Sequence, residues 1–266
     1  MKTRLISAFV ALMIFIPIII LGGNIYTLAV YVLSIIGLKE LLDIKESKKK
    51  LPDFIKFISY ILLTLIIFGN LSNDNFIYSI DIRIVCGLLI SFLLPTVLYH
   101  DKSKYSVNDA LFLIGSLFFL GISFSLLILI RNISINHFIY IILISTMTDT
   151  FAYVTGLLIG KNKLLEEISP KKTWEGMIGG TILGTFVSTV FFSTIIDSNL
   201  SIIIITMMSM FLSIIGQFGD LVFSAIKRYF GRKDFSNIMP GHGGILDRLD
   251  SIIFIALAFM FFLTII

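Results

Sequence analysis

The sequence predicts an all-α integral membrane protein that crosses the bilayer about nine times, with its N-terminus on the cytoplasmic side. Three observations carry that expectation. Of 266 residues, 57% are hydrophobic and only 14% charged, with a mean hydropathy of +0.99. The apolar residues run in stretches of about 20, the length a helix needs to cross the hydrocarbon of a bilayer. The basic residues fall on alternate connections, as the excess of Lys and Arg in cytoplasmic loops requires.

The expected spans are residues 5–22, 25–42, 54–70, 82–99, 110–130, 136–159, 176–196, 200–226 and 251–266. With the N-terminus inside, all of the 21 Lys and Arg residues except Arg83 and Arg131 lie on inner segments. One span more or fewer would scramble that bias. The first run follows Lys2 and Arg4 and lacks a small-x-small cleavage site before Asn24, so it reads as a retained helix and not as a signal peptide. The single cysteine, Cys86, falls in a span and closes no intrachain disulfide. The net charge of +4 resides in the inner loops, which speaks for topology and anionic headgroups and against nucleic acid. No linker divides the chain, so 1–266 reads as one integral domain. Residues 1–135 carry little catalytic signal, and 136–266 form the catalytic half.

Within that half, the sixth span places Asp149 at membrane depth, flanked by Thr146, Thr148 and Thr150. An intramembrane carboxylate costs about 2.5–3.5 kcal/mol to insert, so it points to a polar cavity, where it binds substrate or supports a metal site, or else it makes a packing hydrogen bond within the bundle. The loop SPKKTWEG follows. Its Lys171, Lys172 and Thr173 form an anion clamp at a helix start, or else Thr173 only caps the helix while the lysines orient the chain. In the seventh span Gly176, Gly180, Gly184 and Ser188 recur every four residues, a small face for close helix packing.

The densest chemistry lies between Asp220 and Asp250. Asp220, Ser224 and Lys227 are spaced four and then three apart, on one helix face; Asp247 and Asp250 share another. Two such acidic faces brought together suit Mg²⁺, which takes carboxylate oxygens and keeps phosphates as further ligands. Lys227, Arg228, Arg232 and Lys233 lie between them and neutralise phosphate charge. Gly241, Gly243 and Gly244 let backbone amides approach an anion next to a helix start at Asp247. His242 has no second His, Cys or HExxH pattern near it, which argues against zinc and for a loop-fixing or phosphate-contacting role.

The string Ser224-x-x-Lys227-Arg228-x4-Lys233-Asp234-x5-Pro240-x-His242-Gly243-Gly244-x-x-Asp247-Arg248-x-Asp250 resembles the signature of the phosphatidate cytidylyltransferase, or CDP-diacylglycerol synthase, family. Met239 is a mild departure from it. The segments DTFAYVTG (149–156) and ISPKKTWEG (168–176) resemble family segments in the expected order, so the likeness covers about the last 120 residues. It implies condensation of CTP with phosphatidate to CDP-diacylglycerol and pyrophosphate by a multi-pass protein of the cell inner membrane, with its site facing the cytoplasm. Mg²⁺ is the expected cofactor. CTP, phosphatidate and the bilayer are the expected partners, a homodimer is admitted, and nucleic acid is not expected.

On this reading Asp220 and Asp247 bind Mg²⁺ directly, and Asp250 is a third ligand or supports them. Lys227, Arg228, Lys233 and Arg248 hold the phosphates of CTP and lipid together with Lys171 and Lys172. Ser224, His242, Gly243 and Gly244 shape the nucleotide loop; Asp234 is included on the resemblance, and its residue-level reading is a pair with a neighbouring cation. Two rival classes stay open. A secondary transporter would also carry intramembrane charge, but with homologous halves and midplane charges; a CDP-alcohol phosphotransferase would carry an Asp-Gly…Ala-Arg helix pattern that is missing here. A scaffold fits worst, because buried charge is costly without use.

Overall fold

A computed structural model describes residues 2–69, 81–99, 101–239, 241 and 243–263, with residues 2–8 as backbone only. The expectations for Pro240 and His242, for residue 70 of the third span and for residues 264–266 of the ninth lie outside this set. The described helices are α1 (Lys2–Leu21), α2 (Gly23–Glu46), α3 (Asp53–Gly69), α4 (Ile82–Leu93), α5 (Pro95–Leu98), α6 (Val107–Ile133), α7 (Ile135–Ile159), α8 (Trp174–Ile195), α9 (Ile202–Tyr229) and α10 (Leu246–Phe259). Between α7 and α8 two short antiparallel strands, β1 (Lys163–Leu165) and β2 (Ser169–Thr173), pair Lys163 with Thr173 and Leu165 with Ser169.

The helices follow the apolar runs, with two local differences. The expected fourth span is interrupted between α4 and α5, where Pro95 supplies no N–H to the helical ladder. The stretch expected as a plain loop before the seventh span is the β1–β2 hairpin, which delivers Thr173 to the start of α8. The last helix begins at Leu246, so Asp247 lies in its first turn and Asp250 follows within it, as the helix start expected at Asp247 requires.

Among the described residues five helices, α2, α6, α7, α8 and α9, are long and apolar enough to cross a membrane. Their outward side chains, such as Leu158, Ile182, Phe186, Ile203 and Met207, are large, apolar and exposed. A continuous surface of that kind belongs in hydrocarbon, and the protein is a multi-pass membrane protein.

The core forms around α6, which packs against α2, α3, α4, α7 and α10 and buries Leu117, Leu120 and Phe124 completely. A second unit is α7 against α8, where the backbones approach closely. A Cβ on Gly180 would lie 2.7 Å from the Thr148 carbonyl oxygen, and one on Gly184 would lie 2.5 Å from Thr148 Oγ1. The small-residue spacing of the seventh span is therefore a packing device. Hydrogen bonds between buried hydroxyls tie α7 to α9: Tyr140 to Ser209 at 2.7 Å and Thr148 to Ser213 at 2.8 Å.

The two ends of the bundle are closed by different chemistry. At one end Arg131 donates from Nε and Nη2 to the carbonyl of Ile19, at 2.9 and 2.7 Å, and caps the C-terminus of α1 with positive charge. Its guanidinium fills the space beside Gly22, whose φ of +64° also disfavours any side chain. At the other end Asp109 in the first turn of α6 binds Lys45 of α2 at 2.7 Å and Lys49, in the turn after α2, at 2.5 Å. Lys49 also donates to the Lys102 carbonyl, and Lys48 lies 3.6 Å from the centre of the Tyr229 ring at the end of α9. The basic connections after α2, before α6 and after α9 therefore meet on one side.

Candidate active site

The site is built on that same side, where the ends of α7 and α9 and the starts of α8 and α10 converge. Thr173, fixed by the hairpin, accepts the Gly176 N–H at 3.1 Å and caps α8. This places Lys171 and Lys172 of β2 over the last turns of α9. Lys172 Nζ lies 2.6 Å from Asp220 Oδ2, and Ser224, one turn further along α9, donates to Asp220 Oδ1 at 3.3 Å. A cavity of about 550 Å³ opens here, lined among others by Asp149, Tyr153, Gly156, Lys171, Lys172, Thr173, Gln217 and Asp220. Its size suits a small-molecule ligand, since such pockets span about 300–1,000 Å³. Asp149 lies within electrostatic reach of Lys172 and Asp220, and Asp250 within reach of Asp220, Lys227 and Asp149.

Two of the expected partnerships are drawn differently. The sequence reading joins Asp220 and Asp247 around one ion and sends Lys227 to phosphate; in the structure Lys227 Nζ binds Asp247 Oδ1 at 2.6 Å, and both side chains are buried. The other oxygen of Asp247 accepts the Phe235 N–H at 2.9 Å and the Gly244 N–H at 2.8 Å. Asp220 instead faces Lys172 and its acidic neighbours are Asp250 and Asp149. The reason is the position of Asp247 at the start of α10, where orphan backbone N–H groups draw its carboxylate inward, whereas Asp250 lies a turn later.

The second difference concerns the glycines and the helix start expected to receive a phosphate. The anions they receive belong to the protein. Glu40 of α2, completely buried, accepts from the backbone N–H of Ile245 at 2.8 Å, of Leu246 at 2.9 Å and from Ser236 Oγ at 2.6 Å. A Cβ on Gly244 would collide with the Glu40 carboxylate, and one on Gly243, where φ is +86°, would lie 2.8 Å from Asp247 Oδ2. Gly243 and Gly244 thus make room for two carboxylates that fasten the 235–246 segment. Sequence reasoning missed Glu40, although an acid one turn inside an apolar span is a signal, since a carboxylate there is costly unless it has partners.

The remaining candidates lie further out. Arg228 is exposed and donates to the carbonyls of Arg232 at 3.0 Å and Ile168 at 3.4 Å, tying the end of α9 to the hairpin. Lys233 and Asp234 are exposed. Arg248 is exposed too and lines a different, apolar groove. Gln217, not anticipated as a cavity residue, donates to Thr181 Oγ1 at 2.9 Å and helps fix α8 against α9.

A bundle of apolar helices that gathers carboxylates, lysines and a cavity at one end defines a membrane-embedded enzyme for charged substrates. The chain belongs to the cytidylyltransferase family, whose model matches residues 2–266. It is 39% identical over 258 residues to the phosphatidate cytidylyltransferase of Staphylococcus haemolyticus, covering 96% of each chain. It is also 37% identical over 256 residues to the enzyme of that name from Staphylococcus saprophyticus and 36% over 258 residues to that from Staphylococcus aureus, again with 96% of each chain covered.

Proposed function

We propose that this protein condenses CTP with phosphatidate to give CDP-diacylglycerol and pyrophosphate. The observation that carries the reading is the near full-length likeness to phosphatidate cytidylyltransferases in a chain whose cavity is lined by Lys171, Lys172, Asp149 and Asp220. In the reaction an oxygen of the phosphatidate phosphate forms a bond to the α-phosphorus of CTP, and the bond from that phosphorus to the α–β bridging oxygen breaks, releasing pyrophosphate. The attacking phosphomonoester has a second pKa of about 6, so it is largely ionised at neutral pH and needs no strong base. The task left to the protein is to bring two anions together.

Lys171 and Lys172 hold the triphosphate in the cavity, with Thr173 fixing their position at the start of α8. Lys227, Arg228, Lys233 and Arg248 remain the further cations assigned to phosphate. Mg²⁺ suits the donor set, because the carboxylates are hard oxygens and the ion commonly takes one or two of them plus substrate phosphates. Among the described residues no three acidic, His or Cys side chains are grouped to hold a metal ion. Asp220 and Asp250 would supply the first oxygens. Asp247, the other carboxylate assigned to the ion, would sit beside them with Lys227 on its Oδ1. The bound ion would neutralise charge on the phosphates.

The same reading has α1–α10 crossing the bilayer nine times, α4 and α5 counting as one span, with the N-terminus and the site on the cytoplasmic side of a cell inner membrane. The gathering of Lys45, Lys48, Lys49, Lys172 and Arg228 at one end supports it. The chain then acts as one integral domain, in which 136–266 carry the reacting groups and 1–135 brace them.

The test is the purified protein in detergent with Mg²⁺, labelled CTP and phosphatidate. Equal amounts of CDP-diacylglycerol and pyrophosphate are expected, with turnover lost on chelation and strongly reduced by Asp220→Asn. Absence of product with CTP, but transfer from another nucleotide or to another phospholipid, would replace the substrate assignment. Light scattering on the same preparation tests the homodimer.

A further inference from the structure

Gln217 sits on α9 one turn before Asp220, is buried, and lines the charged cavity. Its carboxamide is tied to α8 through the nitrogen: Nε2 donates to Thr181 Oγ1 at 2.9 Å and to the Met177 carbonyl at 3.4 Å. Chemistry dictates that orientation. A backbone carbonyl can only accept, and the Thr181 hydroxyl already donates its proton to the same Met177 carbonyl at 2.9 Å, so each can face only the amide nitrogen. Both hydrogens of the amide are thereby used, and Oε1 is the free end of the group. No donor among the described residues reaches it. Unlike the enclosed hydroxyls of Thr185 and Ser188 further along α8, it is not sealed within the bundle.

A fixed acceptor in this cavity is informative because most of either substrate cannot use it. The phosphate oxygens of CTP and of ionised phosphatidate only accept, and the other two glycerol oxygens of phosphatidate are esterified. The donors that remain belong to the nucleoside: the amine of the base and the hydroxyls of the ribose. The surroundings choose between them. Ala152, Gly156, Leu157 and Met177 line the same cavity and give it an apolar part that suits the faces of a planar base better than a sugar. The phosphate clamp adjoins it, since Lys172 Nζ donates to the backbone carbonyl of Gln217 at 3.5 Å.

We propose that Gln217 determines which nucleotide is used, its Oε1 accepting a hydrogen bond from the 4-amino group of cytosine. This rests on the function proposed above and adds how its nucleotide is chosen. UTP carries a carbonyl oxygen at that position, so acceptor would meet acceptor. The amide cannot turn to offer its nitrogen instead without giving up both hydrogen bonds to α8, and that fixed orientation is what rejects the wrong base.

The experiment uses the full-length protein in detergent and compares CTP with UTP, with the CTP analogue that carries hydrogen in place of the 4-amino group, and with 2′-deoxy- and 3′-deoxy-CTP. For the wild-type protein kcat/KM is expected to fall on the order of a hundredfold or more with UTP and with the analogue lacking the amine, and to change little with the deoxy forms. Loss with a deoxy form and not with that analogue would overturn the proposal, because Oε1 would then take a ribose hydroxyl. Gln217→Met keeps the length of the side chain and removes the amide; it is expected to bring the ratio of kcat/KM for CTP and UTP to within about tenfold of one. Gln217→Asn, which withdraws the amide by one methylene, is the second variant and should shift the ratio in the same direction. A residue that merely braces α8 against α9 would lower turnover of both nucleotides alike, so an unchanged ratio in the variants would overturn the proposal. Failure of the function itself is distinguishable: if the wild-type protein makes no CDP-diacylglycerol, equilibrium binding of CTP against UTP and the analogue, measured without phosphatidate, still tests the base contact.

Discussion

Lys227 and Asp247, twenty residues apart in the chain, form a buried ion pair of 2.6 Å between the last turn of α9 and the first turn of α10. Removing one partner strands a charge away from water, at a cost of about 3–5 kcal/mol. Lys227→Met and Asp247→Asn are each expected to lower thermal stability clearly, and the double variant to lose less than the sum of the two. Additive losses in a double-mutant cycle would show that the pair is not coupled. Both single variants are also expected to lose turnover, because the proposed function assigns Lys227 to phosphate and Asp247 to the metal ion.

Lys172 and Asp220 are also paired at 2.6 Å, but each keeps more than a quarter of its side-chain surface exposed to the cavity. Solvent screening limits what such a pair adds to stability to about 1 kcal/mol or less. Lys172→Gln should therefore leave the melting temperature nearly unchanged and raise KM for CTP about tenfold or more. A large drop in stability with normal KM would assign Lys172 a structural task.

Glu40 connects the two halves of the chain. Its carboxylate receives the N–H groups of Ile245 and Leu246 and the Ser236 hydroxyl, so it caps α10 from α2. Hydrogen bonds to a charged group are worth about 1.5–3 kcal/mol each, and the two backbone donors, Ile245 and Leu246, are buried here. Glu40→Ala is expected to destabilise the protein by about 3 kcal/mol and to reduce kcat, although residue 40 is remote from the signature in sequence. Glu40→Gln, which keeps the shape and one carbonyl acceptor, should fall between. Wild-type turnover in Glu40→Ala would mean that the 235–246 segment holds its position without the cap.

The contact of α7 with α8 leaves no room for a side chain at Gly180, where a Cβ would meet the Thr148 carbonyl at 2.7 Å. Gly180→Val should cost about 1–3 kcal/mol through overpacking. Because Thr148 precedes Asp149, it should also move Asp149 within the cavity and lower activity more than stability alone explains. Replacement of the outward-facing Ile182 by Val on the same helix serves as the neutral comparison.

Hydrophobic run length made the helical membrane architecture legible, because a bilayer imposes a length rule that acts on each segment separately. The helix faces were legible too: Asp220, Ser224 and Lys227 do share a face, and Thr173 does begin a helix, since both follow from local geometry. Spacing along one helix, however, says nothing about which neighbour that face meets. The exchange of partners among Asp247, Lys227, Asp220 and Lys172 arose from packing, as did the burial of Glu40 against a segment 205 residues later in the chain. In a low-dielectric interior a charge settles on the nearest opposite charge or N–H in space, and that distance exists only after the helices have assembled.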